Sequence, residues 1–277
     1  MGKPKIISIV GLTASGKSSL GIVLARMFNG EIISADSRQV YKGVDLNSGK
    51  ITAEEQAMVV HHLLDVVCPV EYSRENKFFD VFAFQKMAYE KIDEILARGK
   101  VPIIVGGTGL YSRAVIEGYT FNTESTHGRQ NAAPTTRSNN ISHFCRGGIL
   151  PPVTSSARYD VLQIALMPSK EWLIPRIEQR IDIRLKEGML EETKALLASG
   201  VRADWLKLLG LDCEWNTKLA LDEVSFEEYR YWYGVRTAQF AKRQRTWFKK
   251  EKNTVFLENP EEFELESINR VKEFLGL

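Results

Sequence analysis

Four short apolar runs, at residues 6–10, 32–35, 101–105 and 161–166, stand apart along the chain with stretches of helical period between them. Runs of this length, with almost no polar alternation, predict strands covered on both faces, as in a parallel sheet. Between the second and third runs, residues 78–98 place Val81, Phe84, Ala88, Ile92 and Ile95 on one helical face, and Gly99 followed by Pro102 stops that helix before the next strand. Helical patterns also cover 19–28, 171–199, 205–219 and 226–250; residues 254–257 predict an edge strand, and a last amphipathic helix starts at Pro260. Strands that alternate with helices define an α/β chain, a parallel sheet flanked by helices with a helical C-terminal part.

The pattern fails from 120 to 158, where Asn, Ser, Thr, Pro and Gly dominate and no strand or helix period survives. The expected organisation is therefore a first part of the α/β core at 1–119, a small irregular insertion at 120–158, and a second part of the core at 159–277. A chain of 277 residues with 44% apolar content can bury a sizeable core. Its net charge is only +2, so affinity for nucleic acid has to come from local clusters. Cys68, Cys145 and Cys213 are odd in number and lack CxxC spacing, which argues for a reducing, cytoplasmic location and against a structural zinc site. Residues 1–5 lead into no signal or lipid anchor, and no apolar run approaches the roughly 18 residues of a membrane span. A monomer is expected.

Gly11-Leu12-Thr13-Ala14-Ser15-Gly16-Lys17-Ser18 follows the first apolar run directly and opens a helical pattern. In a strand–loop–helix of this kind the glycines let the backbone curl, so that consecutive N–H groups converge on one polyphosphate. Lys17 adds a point charge and Ser18 a hydroxyl for Mg²⁺. An ordinary βα turn would need neither, and the loop does not specify ATP. The second run ends in Ser34-Ala35-Asp36-Ser37-Arg38-Gln39, which puts Asp36 at a strand's C-terminal end, where it can act as a base or, more plainly, cap a helix or pair with a cation. The third run ends in Gly106-Gly107-Thr108-Gly109, a second loop that permits close backbone approach to a ligand and presents the Thr108 hydroxyl; alone it is also a common helix entry.

Arg176, Arg180 and Arg184 form a row at i, i+4, i+8 on one helix. Like charges so placed favour an anionic partner, although a solvated face suits Arg184. Residues 235–250 hold Arg236, Lys242, Arg243, Arg245, Lys249 and Lys250 without an acid, interleaved with Phe240, Trp247 and Phe248. Such a helix either contacts phosphate backbone or buries its aromatics and solvates its cations. The pairs His61-His62 and His143-x-Cys145 lack partners for a metal cage and are expected to be structural or incidental.

Taken together the loops resemble the tRNA dimethylallyltransferases, also called tRNA isopentenyltransferases. The matching motifs are residues 11–18, 34–43, His62-Leu63-Leu64-Asp65, 106–111, Arg176-Ile177-Glu178-Gln179-Arg180 and 236–247, in family order across about 5–118 and 160–250. The resemblance implies a P-loop NTPase-like parallel sheet. It also implies that dimethylallyl diphosphate sits on Gly11, Thr13, Ala14, Ser15, Gly16, Lys17 and Ser18 with Thr108 and Arg180. The exocyclic N6 of an adenine next to the tRNA anticodon would attack the allylic carbon. Asp36 would take the N6 proton, while Lys17, Arg180, Thr108 and Mg²⁺ at Ser18 stabilise the leaving pyrophosphate. Asp36, Ser37, Arg38 and Gln39, with Arg236, Gln239 and Arg243 of the basic helix, would hold the anticodon stem-loop around a base turned out of its stack. The family carries a helical insertion after the third strand; here 120–158 is short and polar instead. The alternatives are an adenylate isopentenyltransferase acting on free nucleotides, which the basic helix disfavours, and a nucleotide kinase, which Gly106-Gly107 disfavours because it stands where a Mg²⁺-holding acid would be.

Overall fold

In the computed structural model, which describes residues 2–120 and 157–277, the strands form one six-stranded sheet, parallel throughout. They are β1 (Lys5–Gly11), β2 (Gly30–Ser34), β3 (His61–His62), β4 (Val101–Val105), β5 (Asp160–Leu166) and β6 (Thr254–Leu257), arranged β3-β2-β4-β1-β5-β6. The helices are α1 (Lys17–Met27), α2 (Ala53–Met58), α3 (Pro69–Arg74), α4 (Val81–Ala97), α5 (Gly109–Glu117) and α6 (Lys170–Lys186). After them come α7 (Met189–Ala198), α8 (Ala203–Leu209), α9 (Leu211–Ala220), α10 (Phe226–Phe248) and α11 (Phe263–Leu275). Almost all of the segment 120–158, with His143 and Cys145, lies outside the described residues. The stretches before and after it share one sheet, because β5 pairs with β1 along its whole length.

Period-2 alternation explains how short strands serve two layers. Ile6, Ile33 and Ile104 face α4, where Phe84, Ala88, Ile92 and Ile95 are fully buried. Ile7, Ile9, Ile32, Ile103 and Ile164 face α1 and α11. A third apolar cluster joins Val10 and Leu12 to Leu173, Ile177 and Ile181 of α6 and to Tyr229, Tyr233 and Phe248 of α10. It fastens the C-terminal helices to the loop after β1.

Several boundaries depart from the sequence pattern for local reasons. Asp80 accepts from the Ala83 N–H at 2.8 Å and so starts α4 at Val81 rather than at 78. The pattern at 171–199 is two helices, since Gly188 takes a left-handed φ of 101° between α6 and α7. That at 205–219 is also two, broken at Gly210, where an added Cβ would lie 2.7 Å from Cδ of Arg38. The helices α2 and α3 are too short for a period to reveal. No described helix is long and apolar enough to cross a membrane.

His61 and His62 form the edge strand β3, and their role is structural: His62 Nε2 lies 2.7 Å from Glu31 of β2, which also pairs with Arg98 at 2.6 Å and Lys100 at 2.8 Å. Burial opposes ionisation of Glu31, yet Lys100, His62 and Arg98 together hold its carboxyl down at about 2. A depressed carboxyl contributes stability that is complete above its unfolded value near 4.5 and is lost as pH falls toward 2. Glu31→Gln is therefore expected to cost about 2 kcal/mol in urea unfolding at pH 7, less than a fully buried pair because Arg98 and Lys100 can turn to water. The difference from wild type should shrink below pH 4.5; a gap that stays constant down to pH 3 would contradict the ionic account.

Candidate active site

The loop between β1 and α1 is shaped by close packing at one end and by an open helix start at the other. Gly11 has φ 138°, and a Cβ there would meet the Leu166 carbonyl of β5 at 2.4 Å. Gly16, at φ 91°, precedes α1 and supplies no side-chain cap, so the first N–H groups of the helix point out with the positive end of its dipole. Ala14 also holds a left-handed φ of 60°, a strained position for a residue with a Cβ. Beside the loop two buried polar atoms, Ser15 Oγ and Arg180 Nε, lack a hydrogen-bond partner. This is the geometry of an anion cradle.

The electrostatics agree. Lys17 Nζ donates to the Leu12 carbonyl at 2.6 Å, and burial, then Arg180, bring its pKa down to about 7. Arg180 donates through Nη2 to Thr13 Oγ1 at 2.7 Å; burial, then Arg184, lower its pKa to about 10. Buried cations, each depressed further by a neighbouring arginine, are short of negative charge, which a polyphosphate would supply. Arg184 corrects the sequence expectation of a solvated face. It is half-buried with its guanidinium over Gly49, and its field reaches both Arg180 and Asp212.

Asp36 follows β2, next to β4 and two strands from β1, so the three strand ends open on one crevice. Its Oδ1 accepts from the Arg38 backbone N–H at 2.9 Å and lies 3.6 Å from Arg38 Nε. Arg38 in turn donates from Nη1 to Asp212 Oδ2 at 2.7 Å, and Tyr233 donates its hydroxyl to Asp212 Oδ1. Burial would raise Asp212, but Arg38, Arg184 and Arg180 hold it below its usual value. Gln39 accepts from Ser34 Oγ at 2.7 Å and donates to the Gly49 carbonyl at 3.1 Å, fixing the same turn. Thr108 precedes α5 and its hydroxyl makes no cap hydrogen bond. The adjoining Gly107 lies beside Lys17 and Gln244, and a Cβ at Gly109 would collide with Trp247 Nε1 at 2.2 Å.

The helix α10 reaches the crevice through Gln244, which accepts from the Thr13 N–H at 2.8 Å and donates to the Gly107 carbonyl at 2.9 Å, bridging the two glycine loops. Arg245 is tied to the carbonyls of Met167 and Pro168. Arg236, Gln239 and Arg243 are exposed on α10, and Arg176 is exposed with its guanidinium stacked on Trp172. The structure thus gathers Thr13, Lys17, Asp36, Arg38, Thr108 and Arg180, and adds Gln244, Asp212 and Tyr233, which the sequence did not single out. Glu192 is a further one: its carboxylate accepts the N–H groups of Asp45, Leu46 and Asn47 and holds the loop that carries Gly49.

A parallel sheet whose first strand runs through a glycine-rich cradle into a helix, with an acid at the neighbouring strand end, defines a P-loop protein built to act on a phosphorylated substrate. The IPP transferase family matches residues 39–145 and 135–251, and the chain belongs to this family. A tRNA dimethylallyltransferase of Exiguobacterium sp. is 36% identical over 282 residues, spanning 90% of this chain and 88% of its own. One from Streptococcus agalactiae is 35% identical over 305 residues, spanning 100% of this chain and 99% of its own. The crystal structure of the full-length tRNA isopentenylpyrophosphate transferase of Bacillus halodurans superposes with a TM-score of 0.77 at 30% identity, covering 98% of this chain and 96% of that one.

Proposed function

We propose that this chain transfers the dimethylallyl group of dimethylallyl diphosphate to N6 of an adenine next to the anticodon of tRNA, releasing pyrophosphate. The observation that carries the proposal is the placing of Lys17, Arg180 and the phosphate loop opposite the Asp36 carboxylate in a chain of this family. The N6 lone pair attacks the allylic carbon; the new C–N bond forms as the C–O bond to the diphosphate breaks. The N6 proton passes to Asp36, and the electron pair leaves with pyrophosphate. Thr13, Lys17, Thr108 and Arg180, with the open N–H groups at the start of α1, hold the diphosphate and balance the charge that grows on it. No group of three or more His, Cys, Asp or Glu suited to a metal is found among the described residues. The Ser18 hydroxyl, at the start of α1, would hold a Mg²⁺ ion brought with the diphosphate. Bound there it would lower the charge on the leaving group.

Lys17 predicts a pH dependence. Near pH 7 its ammonium is only part-protonated, and a diphosphate favours the charged form, so binding takes up a proton. Affinity for dimethylallyl diphosphate is expected to fall between pH 7.5 and 9, approaching about tenfold per unit, with proton uptake in calorimetry. Lys17→Met should bind more weakly and flatten this slope. An equally steep slope in the variant would assign the titration elsewhere.

The anticodon stem-loop is the part of tRNA that the exposed row of α10 suits. Arg243→Glu is expected to raise the KM for tRNA and reduce its salt slope, while binding of dimethylallyl diphosphate stays within about twofold. Incubation with labelled dimethylallyl diphosphate and either tRNA or AMP tests the function itself. Label is expected in tRNA; label in AMP alone would make the chain an adenylate isopentenyltransferase.

A further inference from the structure

The helix that carries the basic row also carries an adjacent pair of aromatic side chains, Tyr231 and Trp232, that the core does not use. Trp232 is 42% exposed and Tyr231 64%, and their rings meet edge to face with centroids 5.2 Å apart. Tyr229 and Tyr233, on the other side of the same helix, are buried. Trp232, Arg236, Gln239 and Arg243 follow one another at spacings of four, three and four residues, which keeps them on one helical face. The Arg236 guanidinium lies 5.8 Å from the centre of the Trp232 ring and donates to Gln239 Oε1 at 3.3 Å, so aromatic and cationic groups form a continuous strip. Gln244, next in sequence to Arg243 and on the buried side of the helix, bonds to the phosphate loop. At about 1.5 Å of rise per residue, Trp232 stands about 18 Å up the helix from Gln244, within reach of nucleotides adjoining one in the crevice.

We propose that Trp232, edged by Tyr231, is a stacking platform for an unpaired base of the RNA whose phosphates Arg236 and Arg243 contact. The inference rests on tRNA being the acceptor and adds a base-binding subsite to it. Charge selects the occupant. An apolar face of a second protein would leave Arg236 and Arg243 uncompensated, whereas single-stranded RNA offers a ring face and a phosphate together. The acids nearest in sequence, Glu227 and Glu228, lie in the first turn of the helix, and Asp182 is engaged by Arg230.

Trp232→Ala and Trp232→Phe, tested with a fluorescently labelled anticodon stem-loop, decide the matter. Anisotropy reads binding whether or not transfer occurs. Trp232→Ala is expected to weaken stem-loop binding about tenfold, the effect of losing one base stack, with the salt slope unchanged because no cation is lost. Its melting temperature, kcat and affinity for dimethylallyl diphosphate should match wild type, and Trp232→Phe should bind within about threefold of wild type. Equal stem-loop affinity for wild type and Trp232→Ala would overturn the platform while leaving the transfer activity standing. Wild type that binds the stem-loop but transfers nothing to it would instead refute the acceptor assignment. Concentration-dependent dimerisation abolished by Trp232→Ala would give the ring to a second copy of the chain and also overturn the proposal.

Discussion

Asp36→Asn is expected to lower single-turnover transfer to tRNA, measured at saturating dimethylallyl diphosphate, by about 10²-fold or more while leaving the fold intact. The substitution is nearly isosteric. An amide oxygen can still accept the Arg38 N–H that Asp36 accepts at 2.9 Å, so the turn at 36–39 keeps its shape. Lost is the capacity to take a proton, and with it the charge facing Arg38 and Lys17. Because Asp36 raises the Lys17 pKa, the variant should also move diphosphate binding to lower pH. Transfer within a few-fold of wild type at neutral pH would make another group the base.

Arg180→Ala is the second large effect, about 10²-fold in transfer together with weaker diphosphate binding, the scale of losing one preorganised donor to a developing anion. Arg180 links α6 to Thr13, and its Nε is buried without a partner. Its ordinary pKa is depressed by burial and by Arg184, so the unliganded protein gains little from its charge. The melting temperature of Arg180→Ala without ligand should therefore change by only a few degrees, which separates a ligand-binding role from a structural one. Arg184→Ala should lose less activity, since Arg184 packs on Gly49 and acts on Arg180 and Asp212 through its field. Equal losses at the two positions would show that Arg184 touches the substrate directly.

Much of this site was legible from one dimension because strand ends are. An apolar run followed by glycines, or by an acid, states both where the chain leaves the sheet and which groups it presents there. That logic placed Lys17, Asp36 and Thr108, and family order added Arg180. It failed for groups brought in from afar by helices. Asp212 reads as an ordinary acid in a helix, and only the break at Gly210 turns it toward Arg38. Gln244 was concealed within a basic stretch, although Tyr229, Tyr233, Thr237, Ala241, Gln244 and Phe248 repeat at helical spacing. A polar residue kept on such a buried stripe needs a partner, and that was the available signal. Arg184 was misplaced because a row of like charges does not reveal which members a neighbouring loop covers.

The most direct measurement is nucleoside analysis of tRNA after incubation with the protein, dimethylallyl diphosphate and Mg²⁺. The tRNA would be digested completely and separated by mass-resolved chromatography. The predicted result is one new nucleoside, adenosine carrying a dimethylallyl group on N6, formed by wild type and nearly absent with Asp36→Asn. A group attached to any other base, or tRNA unchanged while AMP is modified or a phosphoryl group is transferred, would contradict the assignment.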